Sequence, residues 1–304
     1  MPNQIPEYDN AIAITGLTKQ YNGFTLKDVS LFVPKGCIMG FVGQNGAGKT
    51  TTIRSMLNMI PIDTGTINIL GYDYRKEEKE LKEYIGVVFD EMGFHKQFSP
   101  AQLNKIFRHI YKNWDEEVFF SYLQRFALPP KRKCGKFSRG MQMKLQIAVA
   151  LSHHAKLLIM DEPTSGLDPI VRNEMLDVFL EFVQEEDHTI FLSSHITSDL
   201  DRIADYITFI NNGQVLFSDE QSTIKEQHKM IRCTKEDCLT IPSDTIVGTR
   251  FSSFGAEVLV KNPEQVMSAC PSLLMEDATL DEIMIYYVSG MGKLPIRPDG
   301  EVTE

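Results

Sequence analysis

Apolar and polar residues alternate from Ala11 to Val33 on either side of Asn22-Gly23, the period of half-buried strands joined by a tight turn, so the chain should open with an antiparallel hairpin. Short apolar runs come next at Cys37 to Val42, Tyr84 to Phe89, Leu157 to Met160 and Thr189 to Leu192. Runs of this length, ending at Gly, Asp or Ser, fit strands buried on both faces, and a parallel-sheet core is expected to begin around Gly43. From Asp90 to Ala150 the spacing turns helical: Ser99-Pro100 supplies an N-cap and an N1 proline, and Phe119, Tyr122, Leu123 and Phe126 share one face. Phe94, Phe98, Phe107, Tyr111 and Trp114 in this insert are expected mostly in its core, with some lining a groove. Tyr206 to Ile210 and Gln214 to Phe217 flank Asn211-Asn212-Gly213 and read as a hairpin closing the core.

Beyond Ser218 the pattern changes. It is charged and helical over Ser218 to Met230, alternating over Thr245 to Lys261 and helical again over Leu280 to Val288, and the tail Pro295 to Glu304 is expected to be disordered. The pattern as a whole predicts an α/β domain over residues 1–220, with a helical subdomain at about 90–150, and a small C-terminal extension over 221–304.

With 304 residues and 42% hydrophobic content the chain can bury a large core, and its length fits about two domains. A formal charge of −10 argues against a broad nucleic-acid interface, and the basic run Lys131-Arg132-Lys133 is short enough to be a solvated linker. No stretch approaches the apolar length of a bilayer span and no charged-then-apolar leader stands at the N-terminus, so a cytosolic protein is expected. Cys37, Cys134, Cys233, Cys238 and Cys270 are odd in number and contain no CxxC, which favours reduced structural thiols. His153 and His154, at a helix end, read as capping or surface residues.

The chemistry is concentrated where strands end. GQNGAGKTT, Gly43 to Thr51 and including Asn45, comes directly after the run Cys37 to Val42. Gly43, Gly46 and Gly48 allow successive N–H groups to turn inward around phosphate oxygens, and the helix starting near Gly48 adds the positive end of its dipole. Lys49 can reach the β- and γ-phosphates, the Thr50 hydroxyl is placed to ligate Mg²⁺, and Thr51 sits near the α-phosphate. The spacing therefore predicts a nucleoside triphosphate site. A second strand, Leu157 to Met160, ends in Asp161-Glu162. Asp161 would hold the Mg²⁺ through water or the Thr50 shell, and Glu162 would orient, or take a proton from, the water that attacks the γ-phosphate.

Just ahead of that strand, Phe137-Ser138-Arg139-Gly140-Met141 opens a helix, with Ser138 as N-cap and Gly140 leaving the first-turn backbone open. Here the sequence resembles the ATP-binding-cassette family, whose signature, commonly Leu-Ser-Gly-Gly-Gln, occupies this place; Ser138 and Gly140 agree, while Phe137, Arg139 and Met141 depart. The resemblance implies an α/β fold with a P-loop ATPase core, an antiparallel β subdomain, a helical signature subdomain and a small C-terminal extension. It aligns Tyr21 with the aromatic that stacks on adenine, Ser165-Gly166-Leu167-Asp168 with the loop that acts across a dimer, and His195 with the switch histidine near the γ-phosphate. Where the family usually has a metal-side glutamine, after the strand Tyr84 to Phe89, this chain has Asp90, with Glu91 as the alternative.

The resemblance further implies an ATPase that binds ATP and Mg²⁺, with Glu162, His195 and Lys49 as catalytic residues, Tyr21, Gly43, Asn45, Gly46, Gly48, Lys49, Thr50, Thr51, Ser138, Gly140 and Asp168 at the nucleotide, and Thr50, Asp90 and Asp161 at the metal. Its signature would cap ATP held by a second cassette subunit, identical or related. The pair would drive a separate transmembrane permease from the cytoplasmic face of the membrane, most similar to bacterial exporters of antimicrobial or cytolytic peptides, lantibiotics, lipids or drugs, including phenol-soluble-modulin exporters. Two alternatives differ in class. A soluble cassette ATPase of DNA repair would carry a long coiled coil between Lys49 and Asp161, and one of translation would carry two cassettes joined by a charged linker. A small-molecule kinase would not need Ser138-Arg139-Gly140 before its acidic strand.

Overall fold

The computed structural model describes residues 10–289, so the expected tail Pro295 to Glu304 lies outside the described residues. The described residues divide into two compact units, one running to Ser218 and the other starting at Asp219.

The first unit opens with β1 (Asn10–Tyr21) and β2 (Phe24–Pro34), antiparallel about Asn22-Gly23, with Ile12, Ile14, Leu17, Leu26, Val29 and Leu31 buried. Next come β3 (Ile38–Val42), α1 (Lys49–Met56), β4 (Thr64–Ile69), β5 (Tyr72–Asp73), α2 (Glu78–Leu81) and β6 (Ile85–Val88). A parallel core starting around Gly43 misses part of this. β4 and β5 return to the first hairpin, making a four-stranded sheet of order β2-β1-β4-β5 with antiparallel pairing of β1 to β4 and β4 to β5. The sequence signal is weak because Thr64 to Thr66 are exposed and leave only Ile67 and Ile69 to mark a buried face.

The helical insert comprises α3 (Pro100–Ile110), α4 (Glu116–Arg125) and α5 (Arg139–Leu151), after which come β7 (Leu157–Asp161), α6 (Pro169–Phe182), β8 (Thr189–Ser194), α7 (Thr197–Ile203), β9 (Tyr206–Asn211) and β10 (Gln214–Glu220). The Ser99 N–H donates to Gln102 Oε1 at 2.9 Å, so α3 starts at the serine-proline pair. The second sheet has the order β10-β9-β3-β8-β7-β6, and β9, β3, β8, β7 and β6 run parallel. Strands β3, β7 and β8 are buried along their whole length, their apolar runs together with the polar Asp161, Thr189, Ser193 and Ser194.

Two expectations for the insert are corrected. Phe94, Phe98, Phe107, Tyr111 and Trp114 are half-buried and do not form a closed core. Phe107 and Tyr111 each stack on Trp114 and lie tilted against each other, with ring centroids 5.4 to 6.4 Å apart. His153 is buried, not a surface or capping residue: its ring stacks on Tyr111 at 4.0 Å and touches the carbonyls of Val149 and Ile85 through its two nitrogens. His154 is exposed.

Burial pushes the His153 pKa below the ordinary histidine value. The unfolded chain thus binds more protons near and below about pH 6.5, so stability present above that pH is lost as pH falls through the lower folded value. His153→Gln is expected to lower stability by about 1–3 kcal/mol near neutral pH, through lost stacking and hydrogen bonding, while flattening the acid-side decline. Thermal denaturation at about pH 7.5 and about pH 5.5 measures both effects.

The second unit contains α8 (Gln221–Gln227), β11 (His228–Cys233), α9 (Lys235–Cys238), β12 (Ile246–Ser252), β13 (Gly255–Lys261), α10 (Pro263–Ala269), β14 (Met275–Asp277) and α11 (Leu280–Ser289). The helix expected over Ser218 to Met230 is confined to α8, because at His228 the chain enters the centre of an antiparallel sheet of order β12-β13-β11-β14. Ile231, Ile246, Val258, Val260 and Val266 form its core. All five cysteines are free.

Candidate nucleotide and hydrolysis site

Four adjacent parallel strands deliver the candidate residues to one edge of the second sheet, the carboxyl edge at which α/β sheets bind ligands. β3 leads into the glycine loop, β8 into His195, β7 into Asp161 and Glu162, and β6 into Asp90 and Glu91.

The loop between β3 and α1 is shaped by its glycines. Gly48, the N-cap of α1, has φ 116°, a region closed to residues with a side chain, and a Cβ there would lie 2.5 Å from Leu26 Cδ2. Lys49 begins the helix, buried, and its Nζ donates to the carbonyls of Gly43 at 2.7 Å and Gln44 at 3.3 Å. The same ammonium stands 3.2 Å from Glu162 Oε1, a buried oxygen with no hydrogen-bond donor of good geometry. Lys49 is thus held by the loop it serves and aimed at the end of β7.

The carboxylates are braced by hydroxyls on either side. Thr50 Oγ1 donates to Asp161 Oδ2 at 2.8 Å, and Ser193 Oγ donates to Asp161 Oδ1 at 2.6 Å. Ser193 Oγ also accepts the Glu162 N–H at 3.1 Å, so one fully buried hydroxyl fixes both acids. Glu162 itself has φ 52°, a left-handed conformation that turns the chain sharply after the strand. Its Oε2 lies 2.6 Å from His195 Nδ1 and accepts the His195 N–H at 3.3 Å. Lys49, Glu162 and His195 therefore form one contiguous array across three strands.

A cavity of about 710 Å³ opens over this array, lined in part by Asn45, Gly46, Gly48, Lys49, Thr50, Thr51, Asp161 and Glu162. Its cationic side chains are Lys49 and Arg54, set against the four carboxylates of Asp90, Glu91, Asp161 and Glu162. A cation accompanying a polyanion would reduce its repulsion from these carboxylates. The hard oxygen donors of Thr50 and Asp161, already 2.8 Å apart, suit Mg²⁺.

Other sequence candidates lie away from this cavity's lining. Tyr21 is exposed beside Lys19, and its cross-strand partner Phe24 lines the cavity instead. Aromatics on both sides of Asn22-Gly23 are the available signal, and the sequence alone does not decide which ring faces the loop. Gly43 meets the site through its carbonyl. Asp168 caps α6, accepting the N–H groups of Ile170 and Val171 at 3.1 Å each, and Pro169 occupies N1. Ser138 caps α5, accepting the Met141 N–H at 3.3 Å, and it and Gly140 are outside the lining.

Sequence reasoning missed the Ser193 brace, although the Ser-Ser pair before His195 held the clue. It also missed a buried carboxylate, Asp199 on α7, which accepts from Thr164 Oγ1 at 2.6 Å and pairs with Arg172, tying the turn after β7 to the segment after His195.

Residues 26–165 match the family model described as ABC transporter. The chain is 39% identical over 211 residues to the bacitracin transport ATP-binding protein BcrA of Bacillus licheniformis, a match covering 67% of this chain and 68% of that protein. It is 33% identical over 212 residues to the lantibiotic transport ATP-binding protein SrtF of Streptococcus pyogenes, covering 69% of this chain and 90% of that one. Among solved structures, one titled as the ATP binding subunit of an ABC transporter superposes with a TM-score of 0.65 at 24% identity, over 71% of this chain and 92% of its own, which shows a shared fold.

Proposed function

This chain belongs to the ABC transporter family as an ATP-binding, ATP-hydrolysing subunit, and we propose that it powers export of a peptide antibiotic through a separate membrane-spanning subunit. The observation that carries the ATPase chemistry is the array in which Lys49 and His195 flank Glu162 while Thr50 and Ser193 hold Asp161. The cargo class rests on the bacitracin and lantibiotic relatives. These likenesses favour a transporter subunit over a soluble cassette ATPase of repair or translation.

In the proposed cycle the glycine loop and the start of α1 receive the triphosphate, and Lys49 leaves Glu162 for the phosphates. Glu162, held by Ser193 through its backbone and by His195 through its side chain, then aligns the attacking water and takes its proton. Bound Mg²⁺, held by Thr50 and Asp161, would supply neutralisation of phosphate charge. Ser138 and Gly140 point to a two-chain arrangement, since they stand away from the cavity of their own chain at the start of a helix able to bind an anion. A second such subunit, identical or related, would therefore complete each site.

No described helix is long and apolar enough to cross a membrane. Coupling would instead use an apolar groove of about 300 Å³ whose lining includes Met56, Leu57, Met59, Leu81, Ile110 and Tyr111, where the helical insert meets the sheet domain. Ile110 is 57% exposed, so Ile110→Asp should fold. A tagged wild-type chain, recovered from detergent-solubilised membranes of its own host, is expected to bring a multi-spanning protein with it. Ile110→Asp should lose at least about ten-fold of that recovery, the scale of a buried contact of about 1.4 kcal/mol, while binding ATP normally. Recovery of ribosomes or DNA in place of a membrane protein would overturn the transport reading.

A further inference from the structure

Two of the departures from the family pattern noted in the sequence, Asp90 at the metal-side position and Arg139 inside the signature, meet each other in the fold. Arg139 Nη2 donates to Asp90 Oδ1. The contact joins the loop after β6 to the first residue of α5.

That loop is tied to the same helix a second time. Gln146, buried in α5, donates from Nε2 to the Phe89 carbonyl at 3.0 Å and accepts the Phe89 N–H at 3.4 Å. The backbone immediately before Asp90 is therefore fixed, and Asp90 is carried into the lining of the nucleotide cavity. On its other side the guanidinium lies against the turn after β7. A Cβ on Gly166 would fall 3.0 Å from Arg139 Cζ, and Gly166 adopts φ 67°, so the turn leaves that seat open. The Asp90 and Arg139 side chains are 46% and 48% exposed, and an ion pair so solvated adds little to stability. Its consequence is local: it cancels a negative charge at the edge of a cavity that already holds three other carboxylates.

We propose that Arg139 is a positioning residue that sets how strongly nucleotide binding depends on the divalent cation, by holding and neutralising Asp90. The proposal rests on the nucleotide reading of the cavity. With the pair closed, Asp90 neither attracts a cation nor repels a triphosphate strongly. When the pair opens, the carboxylate does both, and the guanidinium is released at the start of α5, between Ser138 and Gly140 in the chain.

The experiment is calorimetric titration of the full chain with adenylyl imidodiphosphate, a non-hydrolysable ATP analogue, in excess Mg²⁺ and in EDTA; the readout is the ratio of the two affinities. Arg139→Gln should raise that ratio about five- to tenfold, equivalent to about 1–1.4 kcal/mol, and Arg139→Lys should keep it near the wild-type value. Asp90→Asn should leave it within about twofold of the wild-type value, and in the Asp90→Asn background Arg139→Gln should also change it by less than about twofold, since the group it acts through is gone. Both affinities come from one preparation, so unfolded protein cancels in the ratio. An unchanged ratio in Arg139→Gln, or an equal change with and without Asp90, overturns the proposal. Lys49→Ala, titrated alongside, tests the site itself: undiminished binding there would sink the nucleotide reading and not this one alone.

Discussion

Lys49→Ala should lose most ATP affinity and all measurable hydrolysis. The ammonium is buried at the start of α1 and is one of the cavity's two cationic side chains, the other being Arg54. In the free protein it is shared among the carbonyls of Gly43 and Gln44 and the Glu162 carboxylate, all within 3.3 Å. Its exchange onto phosphate oxygens replaces one set of charge-assisted contacts with another, so binding costs little reorganisation. Each hydrogen bond to a charged group contributes about 1.5–3 kcal/mol, and the net loss of one predicts an affinity drop of roughly ten- to 150-fold. Equilibrium binding of ATP checks the first part, and phosphate release the second. Lys49→Arg should fare little better, because a planar fork cannot reproduce a point charge in a seat cut by two backbone carbonyls. Near-normal affinity in Lys49→Ala would remove the loop from the nucleotide site.

Much of this array is legible in the sequence, for a physical reason. A parallel strand buried on both faces must be apolar, and the residues beyond its carboxyl end must be polar enough to face a cleft, so Val42-Gly43, Met160-Asp161 and Ser194-His195 mark strand ends in the sequence itself. The hairpin at Asn22-Gly23 is equally plain, because only a few residue pairs accept the required turn. The features that escape are those set by the third dimension. β4 carries just two buried apolar positions, too few to show which sheet it would join. The face presented by Tyr21 or Phe24 depends on strand twist and bulges, and β1 and β2 show three register shifts. His153 runs against expectation because a histidine at a helix end usually faces water, whereas here Tyr111, from a distant segment of the chain, covers it at 4.0 Å. The mutual compensation of Asp90 and Arg139 is hidden for the same reason: 49 residues separate them, and each looks like an isolated departure.

Glu162→Gln should separate binding from chemistry, a separation that Lys49→Ala cannot make. The amide is nearly isosteric, the backbone N–H that Ser193 accepts is untouched, and the left-handed turn at φ 52° tolerates glutamine as it does glutamate. Thr50, Asp161 and the loop keep their contacts, so nucleotide should bind at least as well, and the loss of one negative charge beside the phosphates favours it. Only proton transfer from water is removed. A positioned general base is worth about 10²–10⁴ in rate, so turnover should fall by at least about a hundredfold. His195, 2.6 Å from Glu162 Oε2, contacts the oxygen that Lys49 does not and is expected to orient the group that takes the proton, not to replace it. If two subunits close over ATP, blocking hydrolysis blocks reopening, and the variant with Mg²⁺ and ATP should elute as a dimer under conditions where the wild-type chain returns to monomer. Turnover within about threefold of wild type would dismiss Glu162 as the base. Slow turnover without a trapped dimer would leave the base in place and instead break the link between Ser138, Gly140 and a second nucleotide.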